Sequence, residues 1–479
     1  MPNTVSSSTT PPPLDHRYRH IVAIALPVLF ANLAMPLQGV IDTAIVGHMP
    51  KAANLAGMGL AIQLLTLLLV SFNFLQYASS GLSAQALGSA TKSGDKASAS
   101  TKANNKYHLS PHQLAAPKLL SILQRALILA ITIGGLLLLL KPLIVDFGLH
   151  LLAASPASGA AAKTYLDVRL WGVMAELMNF AFIGWFAGQG RTRYLLYQQS
   201  GIAILNIGLT LWFVFGLDMG LKGVALGTTI AYWIGFVIAL SLAKMHLRVS
   251  VKALFTIDSE AFTRSKMLRL FSLNKDIFIR TLILTVSFAW LTRLSALSGD
   301  LVLAVNTILL QVLTISALAL DGVAVAAETL SGQAAGRKDW EQFRLIIKRT
   351  GIVSYVLAFF LSCIWWLAMP YYLPLMTDLQ PVIDLAFDYR WYAIMLPIIG
   401  VGAYWLDGIF FGLTAGYAIR NAALLLALIF FPLSSLLFWL FGMHGIWLSV
   451  CSLLLLRMLI LGGYLLRMTF DSSSNTLID

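Results

Sequence analysis

The sequence predicts an all-α integral membrane protein, with twelve transmembrane helices in two six-helix bundles related by a pseudo-two-fold axis along the membrane normal. Three observations lead there. Of 479 residues, 58% are hydrophobic and 11% charged, against about 45–50% and about 25% in soluble domains. Apolar stretches long enough to span a bilayer, about 20 residues each, recur twelve times. The two halves of the chain also echo each other at near-constant offsets. So few charges cannot cover a water-facing surface, which excludes an ordinary cytosolic enzyme, a disordered scaffold and a secreted disulfide-rich protein. The two cysteines, Cys363 and Cys451, lie in apolar runs and read as small core residues.

Residues 1–19 read as a polar tail containing Pro11, Pro12, Pro13, Arg17 and Arg19. It has neither the early apolar run nor the cleavage site of a signal peptide. The N-terminal bundle covers 20–243, with spans expected at 20–47, 53–88, 118–140, 160–189, 194–216 and 221–243. Within it, a Ser/Lys/Asn-rich loop from Ser89 to Lys118 has the composition of a mobile segment. A basic linker, 244–275, holds seven Lys/Arg. The C-terminal bundle covers 276–466, with spans at 276–297, 301–335, 346–369, 386–416, 418–441 and 445–466, and a tail runs from 467 to 479. Several spans exceed what a bilayer requires, so tilt or protrusion into water is expected.

An even number of spans puts both ends of the chain on one side. Loops, tails and adjoining span ends on that side hold 23 Lys/Arg, and the opposite side holds Lys51, Lys141 and Lys222. The positive-inside rule makes the basic side, and both termini, cytoplasmic. This bias accounts for most of the net charge of +12, and nucleic acid is not an expected partner.

In the repeat, Leu55, Ala56 and Gln63 reappear as Leu303, Ala304 and Gln311, and Gln85 and Gly88 as Gln333 and Gly336, all 248 residues on. Gly184 and Gly188 match Gly408 and Gly412 at 224, and Gly220 and Gly223 match Gly442 and Gly445 at 222. The longer loop of the first half explains the step. Six plus six helices give halves of equal orientation, an arrangement that encloses a central cavity and rocks in alternating access.

Charges inside a bilayer cost at least about 2.5–3.5 kcal/mol each on insertion scales, so Asp42, Glu176, Asp321, Glu328 and Asp407 are the informative acids. Asp42 lies late in the first span, with Gln38 and Met35 one and two turns back on its face. Pro27 and Pro36 interrupt that span, each removing a donor and permitting a kink. A carboxyl group in a low-dielectric site can bind and release a proton near neutral pH, and on a bendable helix it makes a coupling device. Asn206 and Thr210 share a face of the fifth span, and Thr228 and Tyr232 a face of the sixth. They either hydrogen-bond a carboxylate across helices or act as glue worth about 0.6 kcal/mol each. Asp321 and Glu328, seven apart, share a face; with Asp407 and Arg457 they make an ion-pair network or a second cation or substrate site. Glu176 has no evident partner. There is no GxxxxGK[ST] loop, HExxH pair or GxSxG elbow, and no enzyme, metal or cofactor chemistry is expected.

The stretch Pro36-Leu-Gln-Gly-Val-Ile-Asp42-Thr-Ala-Ile-Val-Gly-His48 resembles the first helix of the multidrug and toxic compound extrusion (MATE) family, and looks most like its DinF (DNA-damage-inducible) branch. Gly81 to Gly88, Leu273 to Arg280, Leu320 to Gln333 and Leu406 to Gly408 agree with it, and the similarity runs from about residue 18 to 465. The resemblance implies a monomeric exporter of the bacterial inner membrane, surrounded by lipid. It would exchange amphipathic, often cationic, small molecules for inward H⁺ or Na⁺, by alternating access. It also implies that Asp42 carries coupling, that Pro27 sits where the first helix bends, and that Asn206 and Thr228 surround the aspartate. Many relatives carry Asp four residues after that Asn. Thr210 stands there in this chain, which removes a carboxylate and favours a proton over Na⁺ near Asp42. The alternatives are a lipid or lipid-linked-sugar flippase on a related frame, a membrane-embedded enzyme, and a receptor or scaffold.

Overall fold

The structure, a computed structural model, describes residues 17–49, 51–100, 111–151, 156–247 and 263–471. Twelve helices in it are long and apolar enough to cross a membrane. They are α1 (Tyr18–Gly47), α2 (Ala53–Lys92), α3 (His112–Leu139), α4 (Pro156–Gly188), α5 (Thr192–Gly216), α6 (Gly220–Leu247), α7 (Arg264–Leu297), α8 (Asp300–Arg337), α9 (Trp340–Met376), α10 (Gln380–Gly412), α11 (Gly416–Phe441) and α12 (Met443–Met468). A short helix, Lys141–Leu151, follows α3. A 3₁₀ turn at Leu170–Gly172 lies within α4, and α5 ends in a π turn at Trp212–Gly216.

The number of spans agrees with the sequence reading, but several boundaries move outward. α7 begins at Arg264, inside the stretch expected to be linker. Helix also continues from α2 through Ser100, where a mobile loop was expected. The α7 extension is rich in Lys, Arg, Met and Leu, which favour helix wherever they lie; hydropathy reads only the part of a helix that lipid would cover. α9 starts at Trp340 because Asp339 caps it, its side chain accepting from Gln342 N at 3.1 Å. Pro27 and Pro36 do not break α1, which stays helical from Tyr18 to Gly47. Residues 1–16, 101–110, 248–262 and 472–479, which hold parts of the expected tails, loop and linker, lie outside the described residues.

The repeat reappears as paired contacts. A Cβ on Gly184 or Gly188 of α4 would lie 1.9 or 2.0 Å from the carbonyl oxygens of Gln76 and Ser80 on α2. A Cβ on Gly408 or Gly412 of α10 would lie 2.3 Å from those of Ala324 and Glu328 on α8. Ala324 and Glu328 follow Gln76 and Ser80 by 248 residues, the repeat offset. Each half thus packs two helices backbone to backbone through the same pair of missing side chains. The halves also meet reciprocally. The Gly88 position lies 2.1 Å from Gln333 O and the Gly336 position 2.2 Å from Gln85 O. Residue i touches the equivalent of j while j touches the equivalent of i, as a two-fold interface requires.

Among the described residues, the shared apolar core joins the two halves at one end. At the end carrying the termini, one apolar core takes in Ile21 of α1, Leu119 of α3, Leu247 of α6, Ile277 of α7, Phe343 of α9 and Leu465 of α12. At the opposite end the C-terminal half keeps a core of its own, with Leu291, Leu309, Met369, Val382 and Trp447, into which, among the described residues, no buried residue of the N-terminal half enters. Cross-half hydrogen bonds mark the closed seam. Gln85 Nε2 donates to Gly412 O and to Thr414 Oγ1, both at 3.1 Å, and Thr329 Oγ1 donates to Ala187 O at 2.7 Å. Asn32 Nδ2 donates to Leu318 O at 3.2 Å.

Candidate ion-coupling site and central cavity

Two cavities hold the buried polar groups. The first lies within the N-terminal half, measures about 380 Å³, and is lined by Gln38, Asp42, Asn73, Arg169, Glu176 and Tyr232 among others. Asp42 projects from the last turns of α1 and is 4% exposed. Its carboxyl group faces Asn206 and Thr210 of α5 and Thr228 of α6. Asn206 Nδ2 donates to Thr228 Oγ1 at 2.8 Å, and Thr228 Oγ1 donates in turn to Val224 O at 3.0 Å. Asp42 Oδ1, Asn206 Oδ1 and Thr210 Oγ1 are buried with no hydrogen bond of ordinary geometry. Gly227 lets α6 approach this group, since a Cβ there would lie 2.7 Å from Thr210 Oγ1. Two helices therefore converge oxygen-rich, uncharged side chains on an acid carried by a third. That arrangement can hold a proton on the acid or a small cation among the oxygens.

Gln38 and Tyr232, both expected near Asp42, line its cavity. The Met35 side chain lies outside the described residues. Glu176 does have a partner, contrary to the sequence reading: Arg169 Nη2 donates to Glu176 Oε2 at 2.5 Å. Both sit on α4, seven residues apart across the 3₁₀ turn, and the guanidinium lies 4.8 Å from the Tyr232 ring centre. The pair satisfies two charges that would be costly alone, and it leaves Asp42 as the acid of this cavity without a dedicated cation.

The second cavity, about 300 Å³, lies between the halves. It is lined by Asn32 of α1, Tyr77 of α2, Arg280 of α7, Asp321 and Glu328 of α8, and Asp407 of α10, with Arg457 of α12. Asp407 pairs with both Arg280 and Arg457. Asp321, Glu328, Asp407 and Arg457 thus line one cavity together with Arg280, and Arg169 and Arg280 are further cations that are buried or nearly so. The Arg280 guanidinium lies 5.1 Å from the Phe411 ring centre and that of Arg457 lies 5.5 Å from Tyr404. Tyr77 stacks on Phe411 across the halves at 4.2 Å between centres. Sequence order also concealed a contact between His112 and His246, 4.8 Å apart between ring centres, with His246 Nε2 2.9 Å from Gln189 Oε1. Among the described residues no group of three or more His, Cys, Asp or Glu is placed to hold a metal ion.

The MatE family model matches residues 27–102, 117–212 and 277–437, most of the chain and including Asp42, Asn206, Asp321 and Asp407. The chain belongs to the MatE family. Its members, the multidrug and toxic compound extrusion transporters, move small molecules across membranes and are not enzymes. The chain is 34% identical over 438 residues to the DNA damage-inducible protein F of Escherichia coli, covering 91% of this chain and 89% of that one. Two solved structures share the fold. One, an outward-facing multidrug resistance MATE family transporter, has a TM-score of 0.79 at 16% identity over 95% of this chain and 96% of its own. The other, a Vibrio cholerae MATE transporter in a bent form, has a TM-score of 0.77 at 16% identity over 95% and 98%.

Proposed function

We propose that this MATE transporter is a secondary antiporter that exports amphipathic, often cationic, organic compounds in exchange for inward H⁺. It works as a monomer in the bacterial inner membrane, with both termini cytoplasmic. The two bundles, 20–243 and 276–466, are the rocking bodies and 244–275 joins them. With the basic loops inside, the closed seam faces the cytoplasm and the gap between the halves faces outward.

The observation that carries this reading is Asp42 held among three neutral side chains with three oxygens lacking donors. A proton on Asp42 supplies the missing donor, to Asn206 Oδ1 or Thr210 Oγ1. Taking up that proton from the outside removes a charge, rearranges the hydrogen bonds to Asn206, Thr210 and Thr228, and bends α1, with Pro27 and Pro36 as hinge points. The N-half cavity then holds a cationic substrate less well and releases it outward. For a neutral substrate, carrying one charge inward through 100 mV supplies about 2.3 kcal/mol, roughly 50-fold of concentrating power; exchange of one proton for a monovalent cation moves no net charge and draws on the pH gradient alone.

Sodium is the second reading, because the same oxygens suit a small cation. Thr210, in place of a second acid, argues for the proton. A lipid-linked-sugar flippase would need a cationic cavity, whereas Arg280 and Arg457 are balanced by Asp407, with Asp321 and Glu328 beside them. The test is dye export by proteoliposomes under a pH gradient and a sodium gradient imposed separately. Export is expected with the pH gradient alone; export driven only by sodium sinks the proton reading.

A further inference from the structure

We propose that Glu328 is a second proton-binding site, set at the base of the central cavity where α8 meets α2 and α4 of the other half. The proposal rests on the antiport reading but not on the role of Asp42.

The geometry singles this acid out. Glu328 lines the central cavity and is 2% exposed. At the next residue of α8 the joint with α2 and α4 starts: Thr329 donates across it to Ala187 O, and one and two turns on Gly332 and Gly336 pack on Ala84 and Gln85. Glu328 therefore sits on the boundary between the space open to one side and the joint that must part to open the other. Its carboxyl group faces the Ser80 hydroxyl of the opposite half. Ser80 and Glu328 occupy equivalent positions of the repeat, 248 residues apart, so they meet near the pseudo-two-fold axis. Glu328 Oε1 and Ser80 Oγ are both buried without a hydrogen bond of ordinary geometry.

The surroundings decide which ligand fits. The titratable groups of the same cavity are Tyr77 on α2, Arg280 on α7, Asp321 on α8, Tyr404 and Asp407 on α10 and Arg457 on α12; α1, α4 and α5 contribute none. Both arginines are engaged by Asp407, leaving Glu328 with a hydroxyl and a like-charged neighbour, Asp321. An ionised carboxylate is poorly accommodated there, and one hydroxyl is too few oxygens for a metal cation, whereas a proton needs only the acid itself. Parting of the seam carries Ser80 away with its own half and admits water, which favours ionisation. Glu328 thus takes a proton while the seam is closed and gives it up on the other side when the seam opens.

The test reads the seam directly, in the full chain. With Cys363 and Cys451 replaced by Ala, spin labels are placed on the exposed Lys118→Cys and Glu341→Cys, one on each half at the closed end, and their separation is followed by pulsed EPR from pH 8.5 to 5.5. One linked proton changes the open-to-closed ratio by up to about tenfold per pH unit. The parent is expected to close as pH falls. Glu328→Gln, which mimics the protonated acid, is expected to stay closed throughout, and Glu328→Asp to regain a pH response. Asp42→Asn is expected to keep the response at this seam. An unchanged pH response in Glu328→Gln overturns the proposal, as does closure driven by sodium at constant pH. Loss of the response in Asp42→Asn with retention in Glu328→Gln also overturns it, while leaving the Asp42 reading intact.

Discussion

The two halves share one frame and carry different chemistry. Their glycines coincide under the repeat, Gly184 and Gly188 with Gly408 and Gly412, and so do the carbonyls those glycines admit. Their polar groups do not. At the repeat offset of 224, the partners of Arg169 and Glu176 are Ala393 and Gly400, and the partner of Asp407 is Ile183. The N-terminal half holds an acid among neutral oxygens, whereas the C-terminal half clamps its acid between two arginines. Backbone approach is thus a property of the repeated unit, because a helix pair either has the missing side chains or cannot close. Charge placement is free to diverge, because a buried charge needs only a local partner.

This contrast can be broken in four ways. The largest effect is expected from Asp42→Asn, which should reduce gradient-driven export to its no-gradient level; Asp407→Asn should reduce it less, because it leaves Asp42 intact and acts on protons only through the arginines it frees. Equal loss of proton flux in both variants, measured in proteoliposomes, would erase the distinction between the halves.

Next comes stability. Asp407→Ala leaves Arg280 and Arg457 buried and uncompensated, which should cost about 3–5 kcal/mol. The fall in melting temperature in detergent should be largely recovered when both arginines are also changed to Met. Gly412→Val and Gly188→Val should each cost about 1–3 kcal/mol or more, because each drives a side chain into a carbonyl. Similar losses of folded protein from the two variants would sharpen the claim of a shared frame, and a loss in only one would weaken it. The smallest effect is expected from Thr228→Val, which strands Asn206 Nδ2. At about 1–3 kcal/mol for a lost buried partner, it should shift the proton concentration giving half-maximal drive by roughly tenfold, read from the pH dependence of export.

The spans and the repeat were legible in the sequence because hydropathy and glycine spacing follow directly from lipid contact and backbone approach. The helix ends were not, since segments such as Arg264 to Lys275 fold as helix while reading as polar linker. Asp42 was visible as an acid in an apolar run, but its grouping with Asn206, Thr210 and Thr228 needed three helices brought together. Arg169 with Glu176 escaped notice although the seven-residue spacing that linked Asp321 to Glu328 applies equally to them. Arg280 was hidden by its place near the polar start of the expected span 276–297, although it lies mid-way along α7, and the contact of His112 with His246 has no local signal at all.

The joint between the halves has a history written into it. Gly88 rests on the Gln333 carbonyl and Gly336 on that of Gln85, so each side offers the other the same surface. Two copies of a single six-helix ancestor would dock in this way, and gene fusion would have needed only to tether a homodimer that already assembled. Separately encoded halves, divided between α6 and α7 and made in the same cell, should therefore find one another and rebuild the transporter.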